Sequence, residues 1–539
     1  MTWKRIVRTT PPFALVLAIT VVLVSPLDAF PLNDDWVYAT MVQWHLDGHF
    51  AVHPYSSAFA LTQTVWGALW CLVFGYSYGT LRISTLALAA LAAWATSRAA
   101  REAGAGRRLS RMAGVVLVCN PLFLNLAYTF MTDVPFMACL AVSVLFHLRL
   151  LRRGHAKDAA VASVFACAAF LDRQFGVVVP IVFAAALAVT WRRNRVRIDA
   201  RTTASYIAPW LAALPIGLWL TLSQEMEFYP REAVLYARAP GVAPALGFGV
   251  GVAITLGLFL LPFAVCRGPR WSQRQWFAFA GASGVLLGML PMLGPLPHFP
   301  NLLRDFGVGP LLLRDATVFH PGWSPITAGP VLWWPVTLAA ALGGSVFIAR
   351  VLGGRSKSVA RNALAVRKSQ RAFLLLLALA LIVTPCVPAH AVYFDRYLLA
   401  ALAPLLVFAA AASGPSLRGC TWVVAMCALS YAFGVASLQD CLAWNRARWQ
   451  AIEILRVVHN VPDTQIDGGY EFNGLFTSDA YMARLRSGEA DGMQGWWVVD
   501  DAYAVSFQAR EGYEEIDHVA YSSWLGFARR DVLILKRSR

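Results

Sequence analysis

An apolar stretch, Pro12-Phe-Ala-Leu-Val-Leu-Ala-Ile-Thr-Val-Val-Leu-Val-Ser-Pro-Leu-Asp-Ala-Phe30, runs straight into Pro31-Leu-Asn-Asp34-Asp35-Trp-Val-Tyr38. The first part reads as a membrane helix and the second as its polar exit. The pattern returns where a later apolar run ends at Met131-Thr-Asp133-Val-Pro135. A carboxylate at a membrane edge costs desolvation energy, so it is usually retained for a task. Threaded through a bilayer, both acidic sites emerge on the same side. That predicts one polar site, built at the membrane surface from two loops.

The rest of the chain has the same character. Of 539 residues, 58% are hydrophobic and 14% charged, with a mean hydropathy of +0.55. Soluble domains carry roughly 25% charged residues, so a soluble globular protein is excluded. Apolar runs long enough to cross a hydrocarbon core of about 30 Å recur along most of the length. The alternating ten-residue strands of a membrane barrel are not seen. The formal charge of +16 is no nucleic-acid signature. More than half of the 46 lysines and arginines fall in clusters between apolar runs: Lys4–Arg8, Arg98–Arg111, Arg152–Lys157, Arg192–Arg201, Arg267–Arg274, Arg350–Arg371 and Arg418. Such clusters mark cytoplasmic loops. The nine cysteines are scattered and form neither a disulfide framework nor a CxxC metal pair. The basic N-terminus with its apolar core is read as a retained helix, not a signal peptide.

These rules predict an all-α polytopic membrane protein of about thirteen spans, at about 12–30, 80–100, 112–131, 134–151, 158–171, 175–191, 203–223, 242–266, 276–294, 328–350, 372–389, 394–412 and 420–439. The stretch 58–75 is assigned to the outer surface as a juxtamembrane or re-entrant helix. Outer loops are expected at Gln224–Gly241 and Pro295–Thr327. A change of composition near Asp440 divides a membrane domain, 1–439, from a small extracytoplasmic α/β domain, 440–539, with β-prone runs at Trp496–Val499 and Asp531–Leu535.

In this topology the edge charges Asp34, Asp35, Arg82, Asp133, Asp172, Arg173, Asp395 and Arg396 all fall on the outer side, with His53, His298, His320 and His390. Asp34 or Asp35 can deprotonate a hydroxyl held within hydrogen-bond reach. Either could equally cap the helix that starts at Trp36. Asp133, ahead of Val-Pro135, could likewise be an N-cap. Arg173-Gln174 and Asp395-Arg396-Tyr397 each offer a guanidinium whose fork matches two phosphate oxygens. Each arginine also has an aspartate beside it as an alternative partner. A divalent cation between the acidic sites is left open, with His53 its weak candidate ligand.

The order of these motifs resembles a known family. It runs Asp34-Asp35-Trp-Val-Tyr38-Ala39, Leu46-Asp-Gly48-His-Phe50, Phe74-Gly75-Tyr-Ser77-Tyr-Gly-Thr-Leu81-Arg82, Tyr128-Thr-Phe-Met-Thr132-Asp133-Val-Pro135, Leu171-Asp-Arg173-Gln174-Phe-Gly176 and Phe394-Asp-Arg396-Tyr397. It is similar to family-39-like glycosyltransferases of the GT-C class, which include protein O-mannosyltransferases and the lipid A aminoarabinose transferase. The tail, with Trp444-Asn445-Arg446-Ala-Arg448-Trp449 and Ile466-Asp467-Gly-Gly469-Tyr-Glu471-Phe-Asn473-Gly474, also looks like close relatives in a bacterial branch.

The resemblance implies an inverting transfer of a sugar from a polyprenyl-phosphate donor, on the outer face of the inner (plasma) membrane, to a lipid, glycan or protein hydroxyl. It implies Asp34 as general base, Asp133 as an essential acid and Arg173 as the donor-phosphate cation. Asp35, Tyr38, Arg82, Gln174, Arg396 and Tyr397 complete the expected substrate site. Two other classes compete. A transporter or flippase of lipid-linked sugars would carry broken helices and charges near the midplane. A non-enzymatic assembly or sensor protein would use the tail to bind a partner.

Overall fold

The computed structural model describes residues 11–190, 198–223, 242–264, 266, 271–303, 330–352, 368–386, 393–413, 420–489, 497–525 and 528–538. The cluster Lys4–Arg8, the loop Gln224–Gly241, most of Pro295–Thr327, His320, His390, Arg418 and Trp496 lie outside the described residues.

In chain order the helices of the membrane part are α1 (Pro12–Leu23), α2 (Asp35–Leu46), α3 (Leu61–Phe74), α4 (Tyr78–Glu102), α5 (Arg107–Val118), α6 (Pro121–Ala127), α7 (Asp133–Arg153), α8 (Ala156–Asp172), α9 (Val178–Thr190), α10 (Ala200–Ser223), α11 (Val242–Ala264), α12 (Gln273–Gly288), α13 (Pro330–Leu352), α14 (Lys368–Val383), α15 (Leu398–Ala412) and α16 (Cys420–Glu453). Among the described residues, α4, α7, α10, α11, α13 and α16 are long and apolar enough to cross a bilayer, as are α12 continued to Leu293, α14 continued to Cys386 and α15 counted from Asp395. The pair α5–α6 makes one more span, bent by 65°. Shorter helices α1, α8 and α9, of 12, 17 and 13 residues, occupy the other expected crossings. The chain is a polytopic helical membrane protein.

Two expected spans are corrected. The first helix was read to residue 30 and ends at Leu23, with Val24 extended; Pro26 has no N–H with which to continue the ladder. The span 112–131 is not continuous. Asn120 accepts hydrogen bonds from the N–H groups of Leu122 and Phe123 at 3.0 and 3.1 Å, and Pro121 takes the first position of the new helix. An N-cap followed by proline starts a helix in a new direction.

The stretch 58–75 holds α3, too short for a full crossing, which packs between α2 and α4. Helix α7 is the centre of the bundle, with Phe136, Met137, Leu140 and Leu145 buried. Its neighbours α4 and α8 present fully buried alanines, Ala89, Ala92, Ala93, Ala159, Ala162 and Ala166. Small residues let membrane helices approach closely. At the far end of α7, Arg149, Arg152 and Arg153 converge on Glu102, the last residue of α4, at 3.3, 2.8 and 3.0 Å. Asp133 opens the other end of the same helix. The basic clusters and the acidic loops are thus separated by a 21-residue helix, about 30 Å long.

Helix α16 runs through residue 440 without a break, and the tail is built on its extension. Four strands, β1 (Ile466–Asp467), β2 (Tyr503–Ser506), β3 (Tyr513–Ser523) and β4 (Ala528–Arg537), form one sheet in the order β1-β2-β4-β3. β1 and β2 are parallel; β4 is antiparallel to both its neighbours. Val505, Val519, Val532 and Ile534 pack on Trp444 and Ala451 of α16 and on Leu455 just beyond its end. Asp440 ties sheet to helix by accepting from Ser523 Oγ and from the N–H groups of Trp524 and Leu525. Two short helices, α17 (Tyr470–Phe476) and α18 (Ser478–Arg486), follow β1. The expected strand at Asp531–Leu535 lies within β4. Residues 497–499 are not a strand, because Trp497 takes a left-handed φ of 52°, outside the extended region.

Candidate active site

Asp34 stands at the N-cap of α2, yet its side chain makes no capping bond. Its Oδ1 instead accepts the phenol hydrogen of Tyr470 at 2.7 Å. Its Oδ2 lies 3.7 Å from Arg396 Nη1. Asp35 does the structural work that either aspartate could have done. It is fully buried and accepts from Leu32 N at 3.2 Å and Phe130 N at 2.8 Å, joining the two acidic loops. Burial pushes its carboxyl up to about 7, against the pull of Arg82 and the two backbone donors. The two carboxylates thus take different partners: one faces the site and the other holds its floor.

Asp133 also makes no cap. Its Oδ1 pairs with Arg173 Nη1 at 3.0 Å, and its Oδ2 is buried without a hydrogen-bond partner among the described residues. Arg173 Nε donates to Thr132 Oγ1 at 2.7 Å. Neither arginine pairs with its sequence neighbour. Asp172 accepts from Gln63 N at 3.1 Å, and Asp395 accepts from Leu302 N and Leu303 N at 3.1 and 2.6 Å. Each aspartate is spent on a backbone turn, which leaves Arg173 and Arg396 free to face inward. Both guanidinium carbons lie near the Tyr397 ring, at 5.7 and 5.9 Å. Arg396 is buried, and its Nε and Nη1 hydrogens have no hydrogen-bond acceptor among the described residues.

Tyr38, one turn along α2 from Asp34, is buried among Asp34, Arg173, Arg396 and Asp133. Burial first, and then the Asp34 charge, hold its hydroxyl well above the ordinary tyrosine range, so it stays a donor.

Of the predicted residues, the structure brings together Asp34, Tyr38, Asp133, Arg173, Arg396 and Tyr397. It sets three others apart. Arg82 is fully buried beneath the loop and donates to the carbonyls of Asp28 and Phe30 at 3.2 and 2.5 Å. Gln174 Nε2 reaches Ser57 O at 3.3 Å. His53 is stacked on Trp44 at 5.3 Å and edges Trp36 at 5.4 Å, and burial pushes its imidazole down to about 4. Among the described residues no three His, Cys, Asp or Glu side chains group as a metal site.

Sequence reasoning missed the tail's part in the site. Besides Tyr470 on Asp34, Glu471 accepts from Asn33 N at 2.8 Å and pairs with Arg448 at 2.7 Å. Arg446 forks onto Asp28 at 2.7 and 2.9 Å. Asp28, inside an apolar run, was the available signal.

A largely apolar cavity of about 460 Å³ opens beside the site. Its wall includes Val116, Phe259, Phe299, Leu303 and Phe433, and also Asp395, the residue before Arg396.

Among solved structures, the chain is similar to ArnT from Cupriavidus metallidurans in the apo state, with 14% identity, 97% of each chain covered and a TM-score of 0.42. The same protein bound to undecaprenyl phosphate gives 15% identity, the same coverage and a TM-score of 0.41. The archaeal oligosaccharyltransferase AglB from Archaeoglobus fulgidus, in complex with an inhibitory peptide and a dolichol-phosphate, gives 14% identity and a TM-score of 0.45. That match covers 84% of this chain and 58% of AglB. No curated protein matches the chain. Residues 65–219 match the family model described as dolichyl-phosphate-mannose-protein mannosyltransferase, which bears out over that stretch the resemblance read from the sequence.

Proposed function

We propose that this chain is an integral membrane glycosyltransferase that moves a sugar from a polyprenyl-phosphate donor to a hydroxyl acceptor, inverting the anomeric carbon. The observation that carries the reading is Arg396. A buried guanidinium with two unaccepted N–H donors stands 3.7 Å from the Asp34 carboxylate. A buried cation with open donors suits an anionic oxygen ligand, and a guanidinium fork suits phosphate. The apolar cavity beside it suits a prenyl chain. The description of the family model that matches residues 65–219 names a donor of the same class.

Asp34 takes the proton of the acceptor hydroxyl as its oxygen attacks the anomeric carbon. The bond from that carbon to the phosphate oxygen breaks. Arg396 and Arg173 neutralise the charge that develops on the departing phosphate. Asp133 holds Arg173 in place, and Tyr38 supplies a neutral hydrogen-bond donor between the two arginines. The reading puts the site and the tail outside the cytoplasm, in the inner (plasma) membrane. The clusters at Arg98–Arg111 and Arg152–Lys157 lie at the opposite end of α7, where the positive-inside rule wants them.

The test uses membranes from cells lacking the gene, which supply native donor and acceptor, with purified full-length protein added back. Release of polyprenyl phosphate together with a new sugar on a glycan, lipid or protein is the expected result. Movement of lipid-linked sugar across proteoliposomes with no covalent change would overturn it in favour of a transporter.

A further inference from the structure

The tail does more than sit above the site. Gly469, at φ 89°, turns the chain after β1 so that α17 starts at Tyr470. The turn is fixed from within. Asp467 Oδ1 accepts from Gly469 N at 3.3 Å and from Asn473 Nδ2 at 3.0 Å, and Asn473 Oδ1 accepts from Gly468 N at 3.1 Å. It is fixed from outside by Glu471, which holds Asn33 N and is held by Arg448. Two successive tail residues, Tyr470 and Glu471, therefore grip two successive loop residues, Asp34 and Asn33. Asn33 itself takes a left-handed φ of 54° at this point.

An N-cap aspartate ordinarily turns onto the backbone N–H groups of its own helix. Asp34 does not, and the bond it makes instead is to Tyr470. We infer that Tyr470 is a positioning residue for the transfer reaction: its phenol holds one oxygen of Asp34 so that the other faces Arg396 and the incoming hydroxyl. The inference rests on the reading of Asp34 as the base. The charged and titratable groups that face Asp34 are Tyr470 from α17, Tyr38 and Asp35 from α2, and Arg396 ahead of α15. Burial and the Asp34 charge keep the Tyr470 hydroxyl protonated, so it remains a donor throughout the working range.

A base held by a neutral donor gains aim. Losing the donor frees the carboxylate to turn back onto its helix, and a displacement of about 1 Å costs on the order of 100-fold in rate. Tyr470→Phe removes only the hydroxyl, leaving the ring against Trp36 and Trp497, 6.5 and 5.5 Å away. Polyprenyl phosphate release is measured in the deletion-strain membranes with full-length wild type, Tyr470→Phe, Asp34→Asn and the double variant.

The expected result is a kcat lower by about 10- to 100-fold in Tyr470→Phe, with donor KM little changed. In the Asp34→Asn background the same change has no further effect. Wild-type kcat in Tyr470→Phe would overturn the role of Tyr470 while leaving the transferase reading intact. So would an equal loss in both backgrounds, which marks a merely structural contact. No release by the wild type would overturn both.

Discussion

Arg396 Nη1 lies 3.7 Å from Asp34 Oδ2, close enough for attraction and too far for a hydrogen bond. A tight pair at this point would have consumed both groups. The gap keeps the carboxylate available as a proton acceptor and the guanidinium available to an anion. Asp34→Asn keeps the shape and an oxygen for the Tyr470 hydroxyl but cannot take a proton. Its kcat is expected to fall by about 10²- to 10⁴-fold, with the thermal unfolding midpoint close to wild type. Polyprenyl phosphate release and a melting curve on the same preparation check it; wild-type turnover would remove Asp34 as the base.

Arg396→Lys keeps the charge and loses the fork. A lysine presents a compact point charge and cannot make two parallel N–H bonds to one phosphate. Donor KM is expected to rise and kcat to fall together, by about 10-fold or more in kcat/KM, since one bond to a charged group is worth about 1.5–3 kcal/mol. Titration with polyprenyl phosphate as a product inhibitor should show the same weakening. Unchanged inhibition would separate Arg396 from the phosphate.

The Asp133–Arg173 pair is expected to register in stability as well as in rate. Both side chains are nearly buried, 2% and 11% exposed. Removing one partner of a buried pair strands the other, at a cost of about 3–5 kcal/mol. Asp133→Leu and Arg173→Met should each lower the unfolding midpoint, and the double variant should recover part of the loss. Simple additivity of the two changes would show that the pair is not coupled.

The spans were legible because a helix in lipid must satisfy its own backbone, and that requirement is written as apolar length. Asp34, Asp133, Arg173 and Arg396 were legible because charge at the end of such a run is costly. Their partners were not. Asp172 and Asp395 adjoin the two arginines in sequence, but the backbone turns them to Gln63, Leu302 and Leu303. The break at Asn120-Pro121 carried a turn signal that the surrounding apolar run concealed. Nothing in the tail's short helices announced that Tyr470 would meet a residue more than four hundred positions earlier. That contact depends on how the sheet seats on α16, which no local pattern encodes.

His53 gives the loop between α2 and α3 a dependence on pH. Burial holds its imidazole down at about 4 in the folded protein, against about 6.5 in the unfolded chain. A depressed pKa contributes stability that is fully present above pH 6.5 and is lost as pH falls toward 4. At that lower limit the loss reaches about 3 kcal/mol, at 1.36 kcal/mol per unit. The unfolding midpoint of the wild type should therefore drop more steeply between pH 7 and pH 4.5 than that of His53→Phe, which keeps an aromatic ring against Trp44 and Trp36. Parallel curves would show that His53 is not the titrating group.

Docking of the tail depends on one glycine. A Cβ at Gly474 would come within 2.5 Å of the Trp36 ring, and Trp36 is itself boxed in by His53, Tyr55, Tyr470 and Trp497. A rigid indole in such a box has no room to give, so a larger residue must push α17 away from α2. Gly474→Val is expected to leave the membrane helices assembled and to separate Tyr470 from Asp34. Turnover should then fall at least as far as in Tyr470→Phe, while the tail becomes more susceptible to limited proteolysis. Trp36→Ala opens the space that valine needs and should restore part of the tail's protection in the double variant. Failure of Trp36→Ala to restore any would show that the clash with this ring is not what lifts the tail.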